Sequence, residues 1–457
     1  MRRPSIRSLV GGAAGILAGT AAGIALGSIT AVSDPAAARP KLIDAAHVPP
    51  LLTRPGEPIT LRFALVCSPR DDGEPCDGSG EVYARAGQTG PFRRLIVRRG
   101  DSSLYGRYFV ELPNDIATSP TGFSYYAVLR DDRSGASITV PSGGAAAPHR
   151  SFPLVQAPHV DLGVHVFGHI RRPNTRIVDA RWGSAVGDLG LAGSRELGFV
   201  GPTSFDVTPD GAVTVLDQLN GRVQRWFGSG PKATPLGVSG GLADLAIDPD
   251  GTIAVLEPPN RATPAPLLRR FRPDGTPLWA QRLSDRTWAK LVVGPDGPVV
   301  LQEPSEQWLP VTDHDGAPLA RGNQAERGRP GRPLANRREV LVQRVGAGEL
   351  RVAEVARDRL VRSWRITSAT ALGEVQLAEP LGRRLVVVVK AYSDDRDEFV
   401  VLVLDDERIA EQFSVETAQW AESAPLARFR LSGTGLYHLG SRPAGAFVDR
   451  FDLEATP

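Results

Sequence analysis

The chain has 457 residues, of which 41% are hydrophobic and 23% are charged, and its formal net charge is +2. This composition is typical of a folded chain with two or three domains, and it excludes the low-hydrophobicity, highly charged class of disordered proteins. The near-neutral balance argues against nucleic acid as a partner, because phosphate binding needs a concentrated basic face.

The N-terminal residues 1–38 predict a secretory signal peptide. Three arginines precede an uncharged stretch at residues 8–33, and Ala36 and Ala38 then form the small-residue pattern that precedes cleavage. The alternative is a retained membrane anchor, because about 20 residues span a bilayer and glycines recur at every fourth position over residues 11–27. In either case we expect an extracytoplasmic chain, secreted or associated with the cell envelope.

The two cysteines, Cys67 and Cys76, lie in the stretch "CSPRDDGEPC". In an exported chain this spacing predicts a disulfide that closes a small loop between two strands. A structural zinc site is not expected, because it needs four ligands and no histidine is near these thiols.

Residues 45–156 predict a β-sandwich. Short alternating runs rich in Val, Ile, Tyr and Phe recur here about every ten residues, which is typical of an antiparallel sandwich. The runs are "ITLRFALV", "GEVYARA", "FRRLIVRR", "GRYFVELP", "FSYYAVLRD" and "ASITVP". In strand number and length this segment resembles an immunoglobulin or fibronectin type III module.

The C-terminal part of the chain repeats one pattern of apolar runs separated by Asp-Gly turns. In the three clearest copies the first turns end at Gly211, Gly251 and Gly297, 40 and 46 residues apart, and the second turns end at Gly275 and Gly316, 41 apart. Asp-Gly pairs open hairpins because glycine adopts the positive φ of a tight turn. Two hairpins in just over 40 residues indicate a four-stranded propeller blade.

Three weaker copies follow, with first turns at Gly348, Gly382 and Gly433. The sequence therefore predicts an all-β chain, with a six-bladed β-propeller at residues 160–457 after the sandwich at 45–156. The last copy lacks a fourth strand. We expect the upstream stretch "RIVDARW" to supply it and to close the ring, so that no sheet edge stays open.

The first copy, "DVTPDGAVTVLDQLNGRVQRW", resembles the NHL repeat, a propeller-blade motif. The matching positions are Asp210, Gly211, Val215, Asp217, Asn220, Arg222 and Val223. The match is partial in the second copy, at Glu257, Asn260 and Arg261. We interpret the polar positions as structural: short side chains that bond to the local backbone, with Arg222 reaching a neighbouring blade.

No catalytic, cofactor or metal site is predicted. "GVSGG" at residues 237–241 has the spacing of a nucleophile elbow but lies between two copies, without the strand and helix that the elbow needs. His165 and His169 in "HVFGHI" would share a face only on a helix, and this run predicts a strand. The "DPDG" and "DHDG" turns lack the further ligands of a calcium loop.

The function expected is that of a non-enzymatic binding or scaffold protein, for an unidentified protein, glycan or small-molecule ligand. Two alternatives stay open: an NHL-type propeller hydrolase or lyase with a site in the central channel, and a membrane-anchored sensor ectodomain. Buried acids or histidines clustered at one channel mouth would favour the enzyme, and an apolar filled channel would favour the platform.

Overall fold

The computed structural model describes residues 42–453, apart from gaps at 68–76, 101–106, 133, 195, 197, 229, 239–240, 260–264, 284–287, 295, 303–306, 318–330, 335–337, 358, 407 and 422–425. The predicted leader and Cys76 lie outside the described residues, as does the side chain of Cys67. Within these ranges no helix has the length and apolar character that a membrane crossing requires.

Two antiparallel sheets form the N-terminal part of the described chain, residues 42–150, called here the N-terminal module. Its elements are β1 (Leu42–Ala46), β2 (Leu52–Thr53), β3 (Thr60–Cys67), β4 (Gly78–Ala86), β5 (Arg93–Ile96), β6 (Arg98–Arg99), β7 (Arg107–Glu111), α1 (Asn114–Ala117), β8 (Phe123–Asp131), β9 (Ser137–Val140) and β10 (His149–Arg150). One sheet has the order β1-β3-β7-β6, and the other has β10-β8-β4-β5 with β9 also on β8.

The two sheets of the module share one hydrophobic core. Alternate residues of β8 point into it, because successive side chains of a strand face opposite sides: Phe123, Tyr125, Ala127 and Leu129 are all buried. The runs that predicted strands all form them, with "FRRLIVRR" divided between β5 and β6. The sequence interpretation missed α1 and the strands β1, β2 and β10.

Six sheets of three to five strands and two two-stranded sheets follow within the described residues. Their strands are β11 (Phe152–Pro153), β12 (His159–Asp161), β13 (Thr175–Arg181), β14 (Ala192–Ser194), β15 (Gly198–Val200), β16 (Phe205–Val207), β17 (Val213–Asp217), β18 (Arg222–Trp226), β19 (Pro231–Pro235), β20 (Asp244–Ile247), β21 (Ile253–Glu257), β22 (Leu267–Phe271), β23 (Pro277–Arg282), β24 (Trp288–Gly294), β25 (Gly297–Gln302), β26 (Gln307–Pro310), β27 (Arg332–Leu334), β28 (Arg338–Val345), β29 (Glu349–Ala356), β30 (Arg359–Thr367), β31 (Ala371–Leu381), β32 (Arg384–Tyr392), β33 (Asp397–Leu404), β34 (Ile409–Glu416), β35 (Phe429–Ser432), β36 (Gly435–Arg442) and β37 (Gly445–Asp452). A 3-10 helix, Gln218–Asn220, lies between β17 and β18.

The six sheets are numbered here in chain order. Sheet 1 is β16–β19, sheet 2 is β20–β23, sheet 3 is β24–β26, sheet 4 is β27–β30 with β12, sheet 5 is β31–β34, and sheet 6 is β35–β37 with β13. The short strands β14 and β15 pair only with each other, and β2 pairs with β11.

The glycine turns predicted from the sequence lie at the expected hairpins. Gly211 (φ 81°) follows β16 and Gly251 (φ 84°) follows β20, each in the left-handed conformation that glycine adopts without strain. Gly382 and Gly433 do the same in sheets 5 and 6. In sheet 4 the positive φ falls on Gly346 (φ 68°) rather than on the predicted Gly348.

Neighbouring sheets pack through shared hydrophobic cores. Sheets 1 and 2 share one core, sheets 2 and 3 another, and further cores join sheet 4 to 5, 5 to 6, and 6 back to 1. One strand of each sheet follows the same order: β16 contacts β20, β20 contacts β24, β28 (the second strand of sheet 4) contacts β31, β31 contacts β35, and β35 contacts β16. These cores and contacts join the six sheets in the order 3-2-1-6-5-4, an arrangement called here the ring.

The ring is closed by a strand from upstream, as the sequence predicted. Strand β13, in the stretch "RIVDARW", pairs antiparallel with β37, from Thr175 opposite Arg450 to Arg181 opposite Gly445. Val178 and Ala180 are buried in this pairing. The last sheet thereby gains its fourth strand and loses its open edge.

The N-terminal module and the segment that follows it both contact sheet 4. Strand β2 pairs with β11, and both pack on sheet 4 through Leu52, Leu154 and Leu341. Strand β12, which follows the module, pairs in parallel with β30. Module and ring consequently belong to one compact unit, Pro40–Pro457.

A candidate ligand cavity inside the ring of sheets

A cavity of about 810 Å³ lies where the first strands of sheets 2, 3, 5 and 6 and the second strand of sheet 4 face one another. Asp244 on β20, Leu291 on β24, Val342 on β28, Glu374 on β31 and Arg430 on β35 all line it. This volume is within the range of small-molecule sites, about 300–1,000 Å³. Because the lining residues belong to paired strands, the cavity has a rigid wall.

Sheet 3 provides the most apolar part of the wall. Leu291, Val292, Leu301 and Trp308 all belong to it. Val342 of sheet 4 adds a side chain that is 37% exposed. Aliphatic and aromatic side chains of this kind bury the apolar body of a ligand.

Two ion pairs cross between sheets at the cavity. Lys290 Nζ on sheet 3 lies 3.3 Å from Glu374 Oε1 on sheet 5, and Arg332 on sheet 4 donates a hydrogen bond to Glu379 on sheet 5. Partly exposed pairs contribute only about 0.2–1 kcal/mol each. Their main consequence is that both glutamates already have a cationic partner.

The third carboxylate of the wall, Asp244, is occupied by hydrogen bonds within the ring. Its Oδ1 accepts from Ser204 Oγ at 2.6 Å and from Leu245 N at 2.9 Å. Its Oδ2 accepts from Leu291 N at 2.7 Å. The aspartate therefore ties together the beginnings of sheets 1, 2 and 3, next to the cavity.

Arg430 of sheet 6 also connects neighbouring sheets by hydrogen bonds. Its Nε donates to Phe205 O at 3.1 Å, its Nη2 donates to Leu245 O at 3.2 Å, and Asp206 Oδ1 lies 3.4 Å from its Nε. Burial raises the pKa of Asp206 above its ordinary value, although Arg430 and two backbone N–H groups oppose the shift. The guanidinium is thus engaged with sheets 1 and 2.

Arg344 is the exposed cation of the wall. It lies on β28, on the same face as Val340 and Val342, because side chains two apart on a strand point to the same side. Among the described residues its side chain donates one hydrogen bond, from Nη1 to Leu372 O at 3.3 Å. The strand therefore presents two valines and then a cation to the cavity.

The NHL-like residues lie elsewhere, between β17 and β18. Asp217, 1% exposed, accepts hydrogen bonds from Arg222 Nε at 2.7 Å and Asn220 Nδ2 at 2.9 Å. Asn220 also donates to Gly183 O at 3.0 Å, and Arg222 Nη2 to Ala185 O at 2.8 Å. The partners are thus carbonyls in the loop that follows the closing strand, rather than the local backbone.

The remaining NHL-like positions are also placed in the described structure. Asp210 and Gly211 form the turn between β16 and β17, where Asp210 Oδ1 accepts from Ala212 N at 3.3 Å. Val223 is 3% exposed in the core between sheets 1 and 2. All six NHL-like residues of the site prediction are described, and none of them lines the cavity.

In the second copy Glu257 pairs with an arginine of the following strand. Glu257 Oε1 lies 3.2 Å from Arg269 Nη1, on the next strand. That arginine also donates to Gly237 O at 2.9 Å, in the segment before sheet 2. Asn260 and Arg261, which the match had assigned, lie outside the described residues.

The prediction of a strand at "HVFGHI" is wrong. Residues 162–169 form a loop, in which Gly168 has φ 95°. His165 Nε2 lies 2.9 Å from Glu398 Oε2 of sheet 5. Within the described residues no group of three or more His, Cys, Asp or Glu side chains is placed to hold a metal ion. Ser239 of "GVSGG" lies outside the described residues.

Several solved structures are similar to this chain. The WD40 β-propeller domain of Doa1 shares 10% identity over 59% of this chain and 96% of that chain, with a TM-score of 0.30. Apo AztD from Citrobacter koseri shares 12% identity over 83% and 96%, with a TM-score of 0.25. Virginiamycin B lyase from Staphylococcus aureus shares 8% identity over 81% and 99%, with a TM-score of 0.24.

No family model matches the sequence, and the search of curated proteins also gives no match. The fold is established by the strand pairing of the chain itself. Successive antiparallel sheets packed side by side, with an upstream strand completing the last sheet, are the architecture of a β-propeller. The chain is all-β, with one short α-helix among its described residues.

Proposed function

We propose that this chain is an exported, non-enzymatic binding protein of the cell envelope or extracellular space, and that its propeller holds a ligand in the central cavity. The observation that carries the proposal is the position of that cavity, about 810 Å³ in volume and bounded by strands of five sheets. A volume of this size favours a small molecule, or one end of a larger ligand, over a flat protein surface.

In this proposal the propeller has six blades and is of the NHL type, and the N-terminal module is immunoglobulin- or fibronectin III-like. The six described sheets and the contacts that join them in the order 3-2-1-6-5-4 support the blade number. The buried cluster around Asp217 supports the NHL assignment in the first blade. The two sheets of the module, packed around one core, support the sandwich.

Export is the second part of the proposal, and its support is the sequence of the leader. N-terminal sequencing of the exported protein tests it. We expect a mature chain that begins near Arg39. A start at Met1 or Arg2 in the membrane fraction would instead support the anchored sensor and would give the glycine ladder at residues 11–27 a role in helix packing.

Binding is favoured over catalysis because the carboxylates of the cavity wall are engaged. Glu374 and Glu379 face cations, and Asp244 accepts three hydrogen bonds. A general base needs a carboxylate that is within reach of the substrate proton and has a pKa suited to the transfer. Glu374 and Glu379 are paired with Lys290 and Arg332, so either glutamate would have to leave its ion pair to accept a substrate proton.

The ligand site can be tested by filling the cavity. Val342→Trp places an indole in the cavity from a partly exposed position, and Val361→Trp places one on an exposed position of the same sheet, where the native valine is 51% exposed. Both proteins and the wild type would be purified from the exported fraction, and the small molecules released by denaturation identified by mass spectrometry.

We expect one compound to be retained by the wild type and by Val361→Trp, and to be lost from Val342→Trp. Retention by all three proteins would place the ligand outside the cavity. If no compound is retained by any of them, and none from the same extract raises the melting temperature of the wild type, the proposed function is wrong.

A further inference from the structure

The N-terminal module supplies part of the cavity wall. Val48, Pro49 and Leu51 line the cavity beside the sheets. They belong to residues 48–51, called here the wall segment, which lies between β1 and β2. Val48 is 63% exposed, whereas Leu51 is 6% exposed. The segment thus has one apolar side chain packed on the protein and one available to a ligand.

The wall segment is fixed at both ends. Before it, His47 Nδ1 donates to Arg62 O at 2.6 Å, and its Nε2 accepts from Tyr125 OH at 2.6 Å, inside the module. After it, Leu52 N donates to Gln343 Oε1 of sheet 4 at 2.7 Å. A segment held in this way loses little conformational freedom when a ligand arrives.

The acidic and basic side chains of the cavity differ in how fully they are paired. Its three carboxylates, Asp244, Glu374 and Glu379, all have partners, whereas the exposed side chain of Arg344 donates, among the described residues, to a carbonyl oxygen. A guanidinium in this state forms a strong, bidentate pair with a carboxylate, sulfonate or phosphate group. Val340 and Val342 precede it on the same face of β28 and supply the apolar surface beside it.

These observations point to one class of ligand. We propose that the cavity binds an amphipathic anion, whose apolar body lies between sheets 3 and 4 and the wall segment, and whose charged group pairs with Arg344. The inference rests on the proposed function, because it concerns the same cavity. It adds the chemistry of the ligand, and it makes the N-terminal module part of the binding site rather than a spacer.

A pair of fluorescent probes distinguishes recognition of the charged group from recognition of the apolar body. Anilinonaphthalene sulfonate and N-phenylnaphthylamine share one ring system, but only the first is an anion. We expect the wild-type protein to bind the sulfonate more tightly. Arg344→Ala should weaken the sulfonate about tenfold, the loss expected for a hydrogen bond to a charged group, and should leave the uncharged probe unchanged. Arg359→Ala, at an exposed arginine of the same sheet, is the matched control.

The wall segment is tested with Val48→Ser. Loss of its apolar surface should weaken both probes about threefold. The matched control is Val155→Ser, because Val155 is 61% exposed and does not line the cavity. Equal binding by the Val48 and Val155 variants would remove the N-terminal module from the site.

The outcomes distinguish this inference from the function on which it rests. If Val342→Trp abolishes binding of both probes but Arg344→Ala affects them equally, the cavity is a ligand site and the anionic specificity is wrong. If Val342→Trp leaves both probes bound, the cavity is not the probe site and this inference is wrong, whereas the proposed function is decided separately by the compound that the wild type retains.

Discussion

Arg351 of sheet 4 and Glu57 of the N-terminal module form a two-point ion pair, with Nη1 2.6 Å from Oε2 and Nη2 2.9 Å from Oε1. Arg351 is 2% exposed, and its Nη1 also donates to Leu52 O at 2.8 Å. Burial alone would raise the pKa of Glu57, but hydrogen bonds from Arg351 and Arg54 N hold it below its ordinary value. The pair fastens the module to the ring next to the wall segment.

Glu57→Gln should therefore destabilise the protein. The amide keeps the shape of the side chain but leaves the buried guanidinium without one of its two carboxylates. Because Glu57 is itself partly exposed, we expect a loss of about 1–2 kcal/mol in the free energy of unfolding, measured by urea denaturation. Glu111→Gln, on an exposed position of β7, is the control. Equal stability of the two variants would contradict a stabilising role for the ion pair between Arg351 and Glu57.

Closure of the ring by β13 makes a second prediction. Val178 is 0% exposed between β13 and sheet 1, so Val178→Asp buries a carboxylate in an apolar core. We expect it to lower the stability of the ring by about 3 kcal/mol or more, and deletion of residues 160–182 to abolish the cooperative melting transition. Arg181→Ala, at an exposed end of the same strand, should melt as the wild type does. An unchanged transition in the deletion variant would show that the ring closes without β13.

Buried histidines make the protein sensitive to acid. Burial lowers the pKa of His438 from 6.5 to about 3, with a smaller contribution from Arg428, and lowers that of His47 to about 4. A histidine with a lowered pKa in the folded state takes up its proton more readily when unfolded. Stability is therefore complete above about pH 6.5 and falls as the pH decreases toward the folded pKa.

Between pH 7.5 and pH 5 we expect each such histidine to cost about 2 kcal/mol of unfolding free energy. His438→Phe is the matched variant, because this ring already stacks on Phe429 at 4.6 Å and its Nε2 has no hydrogen-bond partner among the described residues. Urea denaturation at the two pH values should show a smaller loss in His438→Phe than in the wild type. An equal loss in both would mean that His438 is not the group that titrates.

The predicted disulfide gives a fourth test. Thiol titration of the denatured, exported protein without reductant should find no free thiol, because Cys67 and Cys76 are joined. After reduction it should find two. Two reactive thiols before reduction would remove the disulfide, and with it one of the two arguments for an oxidising compartment.

The turns and the closing strand were predictable because their signals are local. Asp-Gly at Gly211 and Gly251 requires a positive φ wherever the chain folds, and both residues have it. The incomplete last copy implied a missing strand, and "RIVDARW" was an alternating run without a partner. Such inferences need only short windows of sequence and the rule that sheet edges are covered.

The cavity and its charges could not be found in this way, because they depend on residues far apart in the chain. Lys290 and Glu374 are separated by 84 positions, and Arg351 and Glu57 by 294. Nothing near Arg344 in the sequence distinguishes it from the other arginines. Only its place on the cavity face of sheet 4 does so. The parallel pairing of β12 with β30 was missed for the same reason, since a three-residue strand carries no periodic signal.

The most direct test of the central claim is a crystal structure of the mature protein with anilinonaphthalene sulfonate bound. We predict a six-bladed ring closed by β13, with the naphthalene against Trp308 and the wall segment and the sulfonate paired with Arg344. A ring of five or seven blades, or a probe bound outside the cavity while the cavity stays empty, would contradict the account.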